Sequence, residues 1–172
     1  MMRSILWCVV AVSGIVFVSD VIAEEKAVPL EKLPKAVVEA VKKMFPKAKM
    51  IEATEEEEGG KIKYEVTIKD NNKKIDISVD ANGKIEGLEK EIDLKDLPKA
   101  VTEALVKKYP KAVNKSAEAV FEIEDGKEEL EYYEIQIKTA DGKEIEVKIK
   151  ADGTIITEPD KEKENDKSEP KS

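Results

Sequence analysis

Residues 64–85 read YEVTIKDNNKKIDISVDANGKI, and residues 133–155 read YEIQIKTADGKEIEVKIKADGTI. In both copies apolar residues alternate with polar ones, stop at a turn, alternate again and stop at a second turn. That is the period of half-buried strands joined by hairpins. Ile62, Tyr64, Val66 and Ile68 share one side of the first strand, and Ile75, Ile77 and Val79 share one side of the next. Their counterparts are Tyr133, Ile135 and Ile137, then Ile145, Val147 and Ile149. The other side is polar and should face water.

Working back from each copy, the same helix pattern appears twice. Leu33, Val37, Ala40, Val41 and Met44 fall on one face of residues 30–46, the spacing of an amphipathic helix. Pro34 fits a first turn, where its missing N–H costs nothing, and Pro46 stops the helix. Leu97-Pro98-Lys99-Ala100-Val101 repeats Leu33-Pro34-Lys35-Ala36-Val37 at an offset of 64 (97 less 33). Tyr109-Pro110-Lys111-Ala112 repeats Phe45-Pro46-Lys47-Ala48 at the same offset. Matching ends on both helices mark a duplication.

About four strands are predicted after each helix: near 49–56, 61–69, 74–80 and 84–89, then near 117–124, 131–139, 144–150 and 154–157. The connections Gly59-Gly60, Asn71-Asn72, Asn82-Gly83, Asp125-Gly126, Asp141-Gly142 and Asp152-Gly153 accept the positive φ of tight hairpins. The offset grows to 70 at the last turn (153 less 83), which places the added residues in the acidic stretch 124–131 as a longer loop or extended hairpin. The predicted fold class is α+β: a tandem repeat of a helix followed by about four antiparallel strands, with the helices packed on one face of the sheet. A unit of about 60 residues has a marginal core, so the two units are expected to stabilise each other.

The chain divides into a leader (1–23), a linker (24–29), a first repeat (30–91), a second repeat (92–157) and a charged tail (158–172). In the leader, Arg3 precedes an apolar run over 5–18, and Val21-Ile22-Ala23 ends it with a small residue. That is the grammar of a secretory signal cleaved after Ala23. The run is shorter than the roughly 20 residues a membrane-spanning helix needs. Cys8 lies too early in it to be a lipid-attachment site. The tail EPDKEKENDKSEPKS has no large apolar side chain, so it is expected to be disordered.

Cleavage leaves 149 residues (172 less 23) with no cysteine, histidine or tryptophan, at an unchanged net charge of −8. An acidic chain with interleaved lysines does not suit nucleic acid or anionic membrane. Without cysteine or histidine, and with no serine in a glycine-flanked elbow, nucleophilic catalysis has no machinery. The many carboxylates sit at solvated strand and loop positions rather than in apolar clefts that would tune them. The sequence therefore predicts a protein that is not an enzyme and binds no cofactor. Glu55-Glu56-Glu57-Glu58 is a contiguous run, unlike the alternating oxygen ligands of a calcium loop, and reads as a solvated hairpin end. Asp80-Ala81-Asn82-Gly83 is accounted for by the turn it makes. No metal site is expected.

The pattern YEVxIKDxxxKxxxxxVDxxGKI after a short helix resembles the PepSY superfamily, and more closely its exported PepSY-like, beta-lactamase-inhibitor-like branch. Tyr64, Val66 and Ile68 with the turn at 80–83 carry the likeness, as do Tyr133, Ile135 and Ile137 with the turn at 151–153. The helix openings at Leu33 and Leu97 fit the same branch, and the likeness spans residues 30–157. It implies two tandem helix-plus-strands units in a non-enzymatic protein outside the cytoplasm, periplasmic or extracellular. It also implies a partner: another exported protein, peptidases included, that the module binds or restrains. The inhibitor that lends its name to the branch has disulfides and an aromatic-rich sheet face. This chain departs from it, with no cysteine after the leader and Tyr132 as the main aromatic of the wet face.

Lys63, Glu65, Thr67 and Lys69, with Tyr132, Glu134 and Gln136, form the predicted docking face, all expected to be exposed. Tyr133, in register with Ile135, is expected in the core. The alternative is an acidic envelope protein that holds cations or basic polymers loosely through charge.

Overall fold

The computed structural model describes residues 25–58 and 60–156. The leader, the tail, and the Gly59 half of the first hairpin turn lie outside the described residues. Eight strands run in sequence order through a single antiparallel sheet: β1 (Lys26–Ala27), β2 (Lys49–Glu58), β3 (Lys61–Asp70), β4 (Lys73–Asp80), β5 (Ile85–Ile92), β6 (Val113–Glu124), β7 (Lys127–Lys138) and β8 (Glu144–Ile149). Two ten-residue helices, α1 (Lys35–Met44) and α2 (Lys99–Lys108), interrupt the meander. No helix among the described residues is long and apolar enough to cross a membrane.

This corrects the expected α+β tandem repeat of a helix followed by about four strands: the fold is mainly β, built on one eight-stranded sheet. Two physical causes separate expectation from structure. The helices are cut short at both ends. Leu33 and Leu97 precede prolines and are held extended, as a residue before proline must be. Residues Leu30–Lys32 and Leu94–Asp96 therefore form separate 3₁₀ turns. At the far end, Phe45 and Tyr109 also precede prolines and leave helical geometry. The second cause is the pairing of β5 with β6, from Gly87↔Glu122 to Ile92↔Ala117, which joins the two halves into one sheet. The second half supplies three strands; the segment expected as a fourth makes one bridge, Ile149↔Ile155. Within the stretch 24–29, read as a linker, Lys26 and Ala27 form β1 against Glu55 and Thr54.

Both helices cover the same face of the sheet. The first core cluster packs Leu33, Val37 and Val41 on Tyr64, Val66, Ile68, Ile77, Val79 and Leu88. The second packs Leu97, Val101 and Leu105 on Ala117, Ile135, Ile137, Val147 and Ile149. The clusters exchange residues across the seam. Phe121 and Ile123 of β6 pack on the first core, while Ile92 of β5 and Leu94 just after it pack on the second. Ile62, expected on the dry side, is 45% exposed; its partner is Glu57, one pair from the end of the hairpin.

The repeated turn motif has a packing role. Gly83 has φ +87°, and a Cβ placed there would come 2.6 Å from the Ala36 carbonyl oxygen in α1. Gly153 repeats this against Ala100 of α2, at 2.8 Å. Only glycine over alanine lets the turn lie on the helix this closely. Asp80 accepts the backbone N–H of both Asn82 and Lys84 at 2.8 Å. Desolvation pushes its carboxyl up, but these bonds together outweigh it and hold the carboxyl below the ordinary range. The acidic stretch 124–131 becomes an extended hairpin, β6 to β7, turning at Asp125 and Gly126, both with positive φ.

Candidate functional site

With both helices on one face, no helix or strand among the described residues covers the other face of the sheet. Cross-strand register assigns its side chains: Thr67 opposite Asp76, Asp76 opposite Glu89, Glu89 opposite Val120 and Glu91 opposite Glu118. It continues with Val120 opposite Tyr132, Glu118 opposite Glu134 and Ser116 opposite Gln136, then Glu134 opposite Lys148 and Gln136 opposite Glu146.

The seven residues expected to form a docking face do lie on this side, in two groups. Lys63, Glu65, Thr67 and Lys69 are on β3, and Tyr132, Glu134 and Gln136 are on β7. Strands β4, β5 and β6 separate them, about 19 Å at the usual strand spacing. Between them runs a strip of Asp76, Glu89, Glu118 and Val120, and beyond β7 lie Glu146 and Lys148 of β8. Asp76 is expected on the wet face by alternation, but none of the six belongs to the expected docking face. Alternation alone could have put Glu89 and Glu118 on the wet face. Their adjacency depends on the β5–β6 pairing, which leaves no local signal.

Exposure also differs from expectation. Glu65 and Lys69 are exposed, but Lys63, Tyr132, Glu134 and Gln136 are half-buried. Thr67, expected exposed, is 4% exposed. Its hydroxyl donates to Asp76 Oδ1 at 2.5 Å, and the other oxygen of Asp76 meets Lys74 Nζ at 2.8 Å. A buried carboxylate satisfied on both oxygens is a structural element of the sheet. Tyr133 is half-buried and packs against the second core.

The chemistry of the face centres on β5 to β8. One carboxylate oxygen from each of Glu89, Glu118 and Glu134 lies within 4.8 Å of those of the other two, and all three residues are half-buried. Glu118 and Glu134 are directly opposed, an arrangement that costs stability when both are charged. Desolvation raises the Glu89 carboxyl, with Asp76 adding to it. Desolvation raises Glu118 too, with Glu89 and Asp76 adding to it. Desolvation and the neighbouring Glu146 push Glu134 up to about 7. Glu65 is exposed by area, yet the side chains crowding its carboxyl desolvate it, and with Asp76 and Glu89 they push it up to about 7.

Lys148 answers part of this charge. Its Nζ lies 3.2 Å from Glu134 and 3.7 Å from Glu146, and 5.3 Å above the centre of the Tyr132 ring. Desolvation would lower its pKa, but Glu134 outweighs that and holds the ammonium above the ordinary lysine range. Gln136 Nε2 donates to Glu146 Oε2 at 2.8 Å. Among the described residues, no ion pair or side-chain hydrogen bond engages Glu89 or Glu118. The three glutamates could offer oxygens to a divalent cation, but calcium takes about six to eight, and Lys148 already competes for Glu134.

Two matches to the family described as "Putative beta-lactamase-inhibitor-like, PepSY-like" cover residues 20–87 and 84–157. The chain belongs to this family. Among solved structures, a BLIP-like protein from Bacteroides fragilis is 18% identical, covering 73% of this chain and 86% of its own, at a TM-score of 0.55. A periplasmic protein from Bacteroides eggerthii is 16% identical over 73% of this chain and 88% of its own, at a TM-score of 0.58. A DUF2874 family protein from Bacteroides uniformis is 16% identical over 72% of this chain and 86% of its own, at 0.59. At these identities the likeness is one of fold. A search of curated proteins finds no match.

Proposed function

We propose that the protein is an exported, non-enzymatic binding module whose helix-free sheet face docks another exported protein, a peptidase among the candidates, and restrains or regulates it. The observation that carries this is the asymmetry of the sheet. Two helices close one face, while the other presents Tyr132, Glu134, Gln136 and the glutamates between β5 and β8, with none of the described residues laid over them. The leader sequence supports export, as does the periplasmic description of the B. eggerthii relative. The family's inhibitor-like description and the absence of cysteine and histidine after the leader support binding rather than catalysis.

The glutamate trio favours a second reading, loose retention of cations or basic polymers through charge. The two readings part on salt. A docked interface with a desolvated centre persists at moderate ionic strength, whereas diffuse attraction fades as the Debye length shrinks. The test is capture from the source cell's envelope fraction at two salt concentrations, with the mature chain and its Tyr132→Ala/Glu134→Lys variant as baits. A protein retained at high salt by the first bait and lost by the second supports docking. Capture that vanishes with salt, or is indifferent to the substitutions, rejects it.

A further inference from the structure

Acidic side chains crowd the middle of the face, where Glu89, Glu118 and Glu134 meet. Lys148 shows how a cation is received there: a flexible basic side chain lies across the Tyr132 ring and meets Glu134 at 3.2 Å. One and two strands over, Glu118 and Glu89 stand half-buried without such a guest, their oxygens within 4.8 Å of each other and of Glu134. Lys74, whose Nζ is 2.8 Å from Asp76, reaches both only through space, and Lys148 reaches Glu89 in the same way. Folding alone gives no reason to oppose Glu118 to Glu134 across β6 and β7, since like charges in directly opposed positions weaken a sheet. Partner charge would reverse that penalty on binding.

We infer that the docking segment of the partner is cationic, and that it places an arginine side chain between Glu89 and Glu118, beside Glu134 and the ring of Tyr132. Arginine suits the position better than lysine or a bare metal ion. Its planar fork donates to two carboxylates at once, stacks on an aromatic ring and is weakly hydrated. An open sheet face admits a protein side chain directly, while three carboxylates fall short of a calcium cage. The inference rests on reading this face as a docking surface.

The test uses the isotope-labelled mature chain and three capped tripeptides, Gly-Arg-Gly, Gly-Lys-Gly and Gly-citrulline-Gly, followed by amide chemical shifts. Citrulline keeps the shape of arginine and removes its charge. The arginine peptide should shift the amides of Glu89, Glu118 and Glu134 saturably, the lysine peptide should bind less tightly, and the citrulline peptide should leave them in place. Glu89→Gln/Glu118→Gln should weaken arginine binding by about tenfold or more. This variant removes half-buried like charges, so it should fold at least as stably as the parent. Shifts that do not saturate refute the inference, as do shifts spread equally over the acidic β6–β7 hairpin or an equal response to citrulline. Calcium moving the same amides saturably, with no competition from the arginine peptide, would mark a cation site instead. An envelope partner lost with Tyr132→Ala/Glu134→Lys but kept by Glu89→Gln/Glu118→Gln would leave docking standing and reject the arginine.

Discussion

The half-buried carboxylates make stability fall as pH rises, opposite to most proteins across the same range. Glu134 gives the clearest case, because its side chain is only 13% exposed and its pKa is pushed from 4.5 up to about 7. A carboxyl whose folded pKa is raised binds its proton more tightly folded than unfolded, so protonation favours the fold. Its penalty is absent below 4.5 and complete above about 7. At about 1.4 kcal/mol per pH unit, the upper bound for this group is about 3 kcal/mol. Solvent screening at this half-buried site discounts that to about 1–2 kcal/mol. Glu65, Glu89 and Glu118 act with the same sign. The lowered groups Asp80, Asp141 and Asp152 lose their contribution only below 3.8. Lys74 and Lys148 stay charged throughout, since both are raised above 10.5. Urea unfolding at pH 5 and pH 8, at one ionic strength, should therefore show the protein more stable at pH 5. Glu134→Gln should shrink that difference by about 1–2 kcal/mol. Equal or greater stability at pH 8, or a difference unchanged by Glu134→Gln, would refute the account of the face as a store of unfavourable charge.

Three further expectations concern the frame that holds the face. Gly83→Ala should cost at least about 2 kcal/mol more than Gly142→Ala. Both glycines have positive φ, but only at Gly83 would the added Cβ strike the helix backbone; equal denaturation midpoints for the two variants would show that the turn does not rest on α1. Tyr133→Ala should destabilise by about 2–4 kcal/mol as a core-packed aromatic, and Tyr132→Ala by about 1 kcal/mol through its ring contact with Lys148. The reverse order in thermal melts would mean that β7 presents the opposite residues to the core. A chain ending after Ile92 loses Phe121 and Ile123 from the first core, so it should melt lower and less cooperatively than the whole. A half that melts as high and as sharply would show that the two cores are independent.

Much of the local structure was legible because it is written in near neighbours. Alternation put Tyr64, Val66 and Ile68 on one side of a strand, and these residues are buried together. The Asn-Gly and Asp-Gly pairs located hairpins because positive φ is a property of single residues. The leader grammar and the absence of histidine bear on compartment and chemistry by composition alone. The α+β class was misread for a reason equally local. Leucine–proline openings look like helix starts, and their effect, an extended residue that splits off a 3₁₀ turn, shortens each helix to ten residues.

Only the tertiary structure decided that β5 pairs with β6. That one pairing turns two sets of strands into one sheet and sends Phe121 across to the first core. It also brings Glu89 within 4.8 Å of Glu118 and Glu134, from strands far apart in sequence. Whether a side chain on the wet face is exposed likewise depends on its neighbours across strands, as Thr67 beside Asp76 and Lys148 beside Glu134 show. Burial is a property of those neighbours, and no stretch of sequence contains them.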